Sequence, residues 1–184
     1  MEVNARATML SKQPSKTGKW IILHRLLLAF ALLFATALVS GLFYYLVPLN
    51  WNWNISQTAL IIHIVSGIAC LGAYWPFVRA HQKGKEGGDG RNFLRPWRAR
   101  HRREGEPDYI YKKRLNGHLL NWSLILLGVS GGLMFAPSLL WLLGVIWLPG
   151  YLAYQAVNAL HLGLALLATA MIGVHMRRRM GGRP

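Results

Sequence analysis

Residues 152–176 read LAYQAVNALHLGLALLATAMIGVHM, a run of 25 residues without a charged side chain that contains His161 and His175. At about 1.5 Å per residue, a helix of this length crosses the roughly 30 Å hydrocarbon core of a membrane. The two histidines are 14 residues apart, which is about 21 Å along a helix and about 40° around it. Polar side chains are costly inside a membrane and often mark function there. The run therefore predicts a transmembrane helix with two histidines on one face at two depths.

Three more apolar runs of similar length precede this one. The chain of 184 residues is 53% hydrophobic and carries a formal charge of +15, a combination that is rare in a soluble domain. The conflict disappears if the apolar residues lie in lipid and the charges lie between the spans. We therefore predict an all-α membrane protein, a bundle of four transmembrane helices. The predicted spans are about residues 20–47, 55–78, 117–136 and 152–176.

The basic residues indicate an orientation for these spans. Of the 21 lysines and arginines, five precede or include Arg25, twelve lie between Arg79 and Arg114, and four lie in the last eight residues. Short loops rich in Lys and Arg mark the cytoplasmic side. The prediction is a cytoplasmic N-terminal tail (1–19), a basic cytoplasmic loop (79–116) and a cytoplasmic C-terminal tail (177–184). These basic segments would also attract anionic lipid.

Several alternatives are disfavoured by the same residues. Cys70 is the single cysteine, so an intrachain disulfide, a thiolate cluster and c-type haem attachment are all excluded. The basic loop contains no recognisable nucleic-acid-binding module, and we expect no nucleic-acid partner. His81 and His101 lie in that loop and are interpreted as solvated. The short apolar segment 138–148, between two prolines, is interpreted as interfacial or re-entrant.

Two further histidines lie in the first two spans. Counted from the predicted outer ends of their helices, His24 lies about 23 residues deep and His63 about 8, a difference of about 22 Å. This difference matches the separation of His161 and His175. Since His24 and His175 both lie near the basic ends of their spans, we expect them to share one depth, and His63 and His161 to share the other.

Two histidine pairs at two depths predict two b-type haems. Neutral imidazole is a good iron ligand, and the core of a helical bundle is where facing helices build cofactor sites. His24 and His175 form the inner pair, and His63 and His161 the outer pair. Ligation by two histidines leaves no position on the iron for oxygen.

This pattern resembles the dihaem cytochrome b (gamma) subunit of membrane-bound formate dehydrogenases and its relatives in nickel-iron hydrogenases and thiosulfate reductases. The resemblance spans all four helices. It rests on His24 and His63, 39 residues apart in the first two spans, followed by His161 and His175, 14 apart in the last. It implies the same two pairings, a bacterial inner-membrane location and cytoplasmic termini.

The resemblance also implies a quinone site. In that family an asparagine shortly before a glycine, at the start of the third span, belongs to a quinone site on the cytoplasmic side. Here Asn116 and Gly117 occupy that place and His118 follows, whereas the family carries one residue between asparagine and glycine and then a glutamine. Asn116 and His118 offer hydrogen bonds, and a histidine can exchange a proton with a quinone. An equally weighted interpretation is that Asn116 caps the third helix while His118 faces headgroups.

The function that these expectations favour is electron transfer. The chain would be the membrane subunit of a respiratory oxidoreductase, passing electrons between a periplasmic iron-sulfur or multihaem cytochrome subunit, itself served by a catalytic subunit, and the quinone pool. One alternative is a stand-alone cytochrome b that oxidises superoxide or reduces ferric iron. Another is a non-redox transporter or scaffold whose histidines line a proton or metal path. The paired depths, and the absence of Asp and Glu from the spans, argue against the last.

Overall fold

The computed structural model of the chain describes residues 16–47, 52–86 and 105–180, and the regular structure in these ranges is entirely α-helical. All four helices are long and apolar enough to cross a membrane, so the prediction of four membrane-spanning helices is confirmed. His101, most of the predicted N-terminal tail and half of the predicted C-terminal tail lie outside the described residues. The helices are α1 (Lys16–Leu46), α2 (Trp53–Glu86), α3 (Asp108–Leu142) and α4 (Tyr151–Met180).

The chain divides into two compact units, residues 1–90 and 91–184. In the first unit, α1 and α2 form a hairpin that is held near its basic end by aromatic rings. The ring of Phe30 packs on those of Phe34, Tyr74 and Phe77, with centroids 5.7 to 6.0 Å apart. The ring of Phe77 then stacks on that of His81. The prediction that His81 is a solvated loop residue is wrong, because His81 is helical and half-buried.

The second unit is the hairpin of α3 and α4. Ala168 is completely buried and Leu164 nearly so, and the Ser123 hydroxyl of α3 lies 3.9 Å from the sulfur of Met171 in α4. In both hairpins most of the span surface is exposed and apolar. Such a surface suits lipid rather than water, which supports the assignment as a multi-pass membrane protein.

Six hydroxyl groups in the helices are satisfied by the helix that carries them. Each donates to a carbonyl oxygen one turn earlier, so no water is needed to solvate it. Bonds of this kind, 2.6 to 2.9 Å long, are made by Thr36, Ser40, Thr58, Ser66, Ser123 and Thr169.

The helices extend beyond the apolar runs that predicted them. α2 continues to Glu86, and α3 begins at Asp108 with Pro107 as its N-cap. The predicted loop 79–116 was therefore too long, because hydropathy marks the edge of the lipid and not the end of the hydrogen-bonded helix. Asn116 lies inside α3, so the interpretation of Asn116 as a helix cap is wrong.

The end of α3 also differs from the prediction. Pro137 was expected to bound the helix, but α3 passes through it to Leu142. The helix is terminated by Gly144, two residues after Leu142, and its φ of +80° suits glycine. The Gly144 N–H donates to the Trp141 carbonyl and the Val145 N–H to the Leu140 carbonyl, which together form a Schellman motif. The segment 138–148 is thus half helix and half an irregular connection.

The start of α3 is fixed by two ion pairs of different burial. The guanidinium of Arg114 makes two hydrogen bonds, of 3.2 and 2.8 Å, to the two carboxylate oxygens of Glu106, and their side chains are only 17% and 8% exposed. The ammonium of Lys112 lies 2.7 Å from the carboxylate of Asp108, but both of these side chains are more than half exposed. Of these two pairs, only the first is shielded from water.

We expect the substitution Glu106→Gln to destabilise the protein by about 2 kcal/mol, because it leaves the charge of Arg114 partly buried without its partner. Thermal unfolding of the detergent-solubilised protein measures this change. The matched control is Asp108→Asn, which removes an exposed pair and a first-turn carboxylate and costs less than about 1 kcal/mol. Equal losses in the two variants would contradict the assignment of Glu106 as the stabilising partner.

Candidate haem-ligating site

The four predicted iron ligands are distributed evenly between the two hairpins. His24 on α1 and His63 on α2 belong to the first unit, and His161 and His175 on α4 belong to the second. His24 is exposed, whereas the other three are half-buried. Each predicted pair joins one histidine from each unit, and the pairing stays a prediction.

The ring of His63 is held against α1. Its Nδ1 lies 2.7 Å from the carbonyl oxygen of Ala37. Because a carbonyl only accepts, Nδ1 carries the proton and donates it. The ring occupies the space above Gly41, where an added Cβ would lie 2.7 Å from both Cε1 and Nδ1 of the imidazole. Only glycine lets the ring approach α1 this closely.

The ring of His161 is held against α3 in the same way, with a hydroxyl in place of the carbonyl. Its Nδ1 lies 3.0 Å from the Ser130 hydroxyl, and that hydroxyl donates its single proton to the Leu127 carbonyl, 2.9 Å away. Both bonds are made at once only if His161 Nδ1 donates. A Cβ added to Gly131 would lie 3.0 Å from Cε1 of the ring.

These two histidines therefore share one arrangement. Each lies ten residues after the first residue of its helix, Trp53 or Tyr151, and each rests on a glycine of the preceding helix with its Nδ1–H engaged. This fixes the tautomer, so the nitrogen that would coordinate a metal is Nε2. Iron-ligating histidines typically donate their other ring N–H to such an acceptor. The residues present fit haem iron at His63 and at His161.

The sequence offered Gly41 and Gly131 among several small residues that could make room for a haem, but it did not predict that these two glycines, Ala37 and Ser130 contact the imidazoles. The signal that could have found them was a repeated triplet, Val-Ser-Gly, at residues 39–41 and 129–131. The same triplet also occurs at 65–67, where a Cβ on Gly67 would meet no described atom within 4 Å. The triplet alone is thus not specific. It becomes informative only when the facing helix presents a histidine.

The side chains of the two predicted quinone residues project from different sides of α3. Asn116 and His118 are both half-buried, but two positions along a helix are about 160° apart, so their side chains point in nearly opposite directions. His118 instead shares a face with Trp122, one turn further along. The Trp122 Nε1–H is buried and has no hydrogen-bond partner within the described part of the chain. Among the described residues, no group of three or more His, Cys, Asp or Glu side chains is placed to hold a bare metal ion.

We expect Gly41→Ala to displace the imidazole of His63, because the new Cβ would overlap the ring. The expected result is the loss of one of the two predicted haems, measured as haem b per polypeptide by pyridine haemochrome. Gly131→Ala should have a smaller effect, because the clearance is 3.0 rather than 2.7 Å.

The matched controls are Gly67→Ala and Gly132→Ala, where a Cβ would contact no described atom within 4 Å. All four substitutions gain the same intrinsic helix propensity, about 1 kcal/mol, so they differ only in the contact with histidine. Full haem content in Gly41→Ala would show that the position of the His63 ring is not needed for the site.

Comparison of the chain with protein-family models, with curated proteins and with solved structures gives no match. No relative therefore assigns a cofactor or a partner. The function proposed below depends on the histidines of this chain and on the residues that hold them.

Proposed function

We propose that this chain is the dihaem cytochrome b subunit of a respiratory oxidoreductase, in which it passes electrons between a periplasmic redox partner and membrane quinone. The observation that carries the proposal is the shared arrangement of His63 and His161, two half-buried histidines in apolar spans whose Nδ1–H groups are both engaged. A histidine with only a packing role does not need the same arrangement in both hairpins. An iron ligand needs a fixed tautomer and a fixed ring plane.

The chain supplies ligands, orientation and exclusion of water. A haem held by two histidines supplies one-electron transfer between ferric and ferrous iron. His63 and His161 would ligate one haem, and His24 and His175 the other, as the sequence spacing predicts. The basic ends of the helices would face the cytoplasm. The apolar surface of both hairpins would face lipid, which keeps bulk water away from His63 and His161.

Quinone contact is assigned to one face of α3. His118 and Trp122 lie about 40° apart around the helix, one turn apart along it. The Trp122 indole N–H has no partner among the described residues, and a quinone carbonyl would accept its hydrogen bond. His118 can exchange a proton during quinone reduction. Asn116 lies on the opposite side of α3, so His118 is the better supported of the two residues that the sequence indicated.

The first test counts haem. We expect two haems b per purified polypeptide in the visible spectrum and the pyridine haemochrome assay. His63→Ala and His161→Ala should each remove the same haem, and His24→Ala and His175→Ala the other. His81→Ala, in which a ring stacked on Phe77 is lost, is the control and should retain both. A parent protein without haem refutes the proposal, and a single haem refutes the two-pair arrangement.

The second test addresses the quinone face. We expect His118→Leu to slow electron exchange with a soluble quinone by about tenfold or more, as for loss of a proton-exchanging group, and Trp122→Phe to slow it less. Stopped-flow absorbance of the haems reports the rate, and the static spectrum confirms that both haems remain. Trp141→Phe, at a side chain that is 69% exposed, is the control. Unchanged rates in His118→Leu and Trp122→Phe would place the quinone site elsewhere.

A further inference from the structure

The two hairpins differ in one hydrogen bond, although they share the Ser-Gly pair next to the histidine. In the first, the imidazole of His63 donates directly to the Ala37 carbonyl. The neighbouring Ser40 hydroxyl donates to the Thr36 and Ala37 carbonyls. A backbone carbonyl is thus the acceptor for His63, and no side-chain substitution removes it.

In the second hairpin a hydroxyl is inserted at the equivalent place. Ser130 lies immediately before Gly131, as Ser40 lies before Gly41. Its Oγ accepts from His161 and donates to Leu127, the residue three positions earlier. Ala37 has the same relation to Ser40. The Ser130 oxygen, inserted between the His161 ring and the Leu127 carbonyl, agrees with the larger distance from an added Cβ to the ring, 3.0 Å at Gly131 against 2.7 Å at Gly41.

The hydrogen bonds from His161 to Ser130 and from Ser130 to Leu127 affect how strongly the imidazole donates electrons to a bound metal. A hydrogen-bond acceptor on Nδ1–H makes the ring a stronger donor to metal at Nε2. The Ser130 oxygen is a stronger acceptor than that of a hydroxyl that donates no hydrogen bond, because its own proton is engaged by the Leu127 carbonyl. Ser130 is only 2% exposed, so water does not replace its hydroxyl easily. Stronger donation stabilises ferric over ferrous iron and lowers the potential.

We propose that Ser130 is a positioning residue that tunes the redox potential of the iron bound at His161, acting through the imidazole and not by contact with the haem. The inference rests on the proposed function, because it requires that His161 ligates iron. It goes beyond that function because it states that the electron donation of the two axial histidines is set in different ways. The acceptor for His63 is fixed by the backbone, whereas the acceptor for His161 is set by one side chain.

The experiment is a redox titration of the purified protein followed by absorbance, with the outer haem identified as the component that is missing from His63→Ala. Ser130→Ala should shift the midpoint potential of this component to more positive values and leave the other component unchanged. Ser130→Thr, which keeps a hydroxyl, should restore it. Ser40→Ala is the matched control and should not shift it, since Ser40 has the same place in its hairpin and the His63 ring bonds to Ala37 instead.

Each outcome is decisive. An unchanged potential in Ser130→Ala, or an equal shift in Ser40→Ala, overturns the inference while leaving the dihaem proposal intact. If Ser130→Ala loses the outer haem, restoration of that haem by threonine supports the role of the hydroxyl, and failure to restore it overturns that role. A parent protein that binds no haem refutes the proposed function itself, and the two failures are therefore distinguishable.

Discussion

A polar group inside the spans of this protein is stabilised by a partner within the protein, because lipid offers none. The backbone meets this requirement by forming helices of 30 to 35 residues, and six hydroxyls meet it by bonding carbonyls one turn earlier. The imidazoles of His63 and His161 meet it by reaching to the neighbouring helix. The same constraint therefore shapes the helix, links the helices of each hairpin and fixes the histidine tautomers.

The number and approximate position of the spans could be predicted from the sequence, since a long uncharged run is stable in few settings besides a lipid bilayer. The helix ends could not be predicted equally well. Lys112 and Arg114 lie in α3 although they are too polar for lipid, because a helix with satisfied backbone bonds continues into water when its residues favour it. Pro137 suggested a boundary, but the helix continues for more than one turn, to Leu142. The left-handed conformation of Gly144 then lets backbone N–H groups bond to the last carbonyls of the helix.

The candidate site, too, could be predicted from the sequence only in part. The apolar runs placed four of the seven histidines within or at the edges of the first, second and fourth spans, and helix arithmetic then predicted that these four lie at two depths. The acceptors on Nδ1 could not be chosen in this way, because Ala37 and Ser130 become neighbours of the histidines only when the hairpins pack. Gly41 and Gly131 were visible as small residues among many. Their importance comes from the ring above them, which a linear sequence does not display.

The close packing of the two imidazole rings on glycines has a consequence for how the protein is made. Each hairpin positions one histidine by contacts that lie wholly within that hairpin: Gly41 and Ala37 for His63, and Gly131 and Ser130 for His161. The first hairpin emerges from the ribosome before the second, as N-terminal segments do. His63 is thus oriented while the second hairpin is still being synthesised. The orientation of each of these two rings is then decided by the folding of its own hairpin.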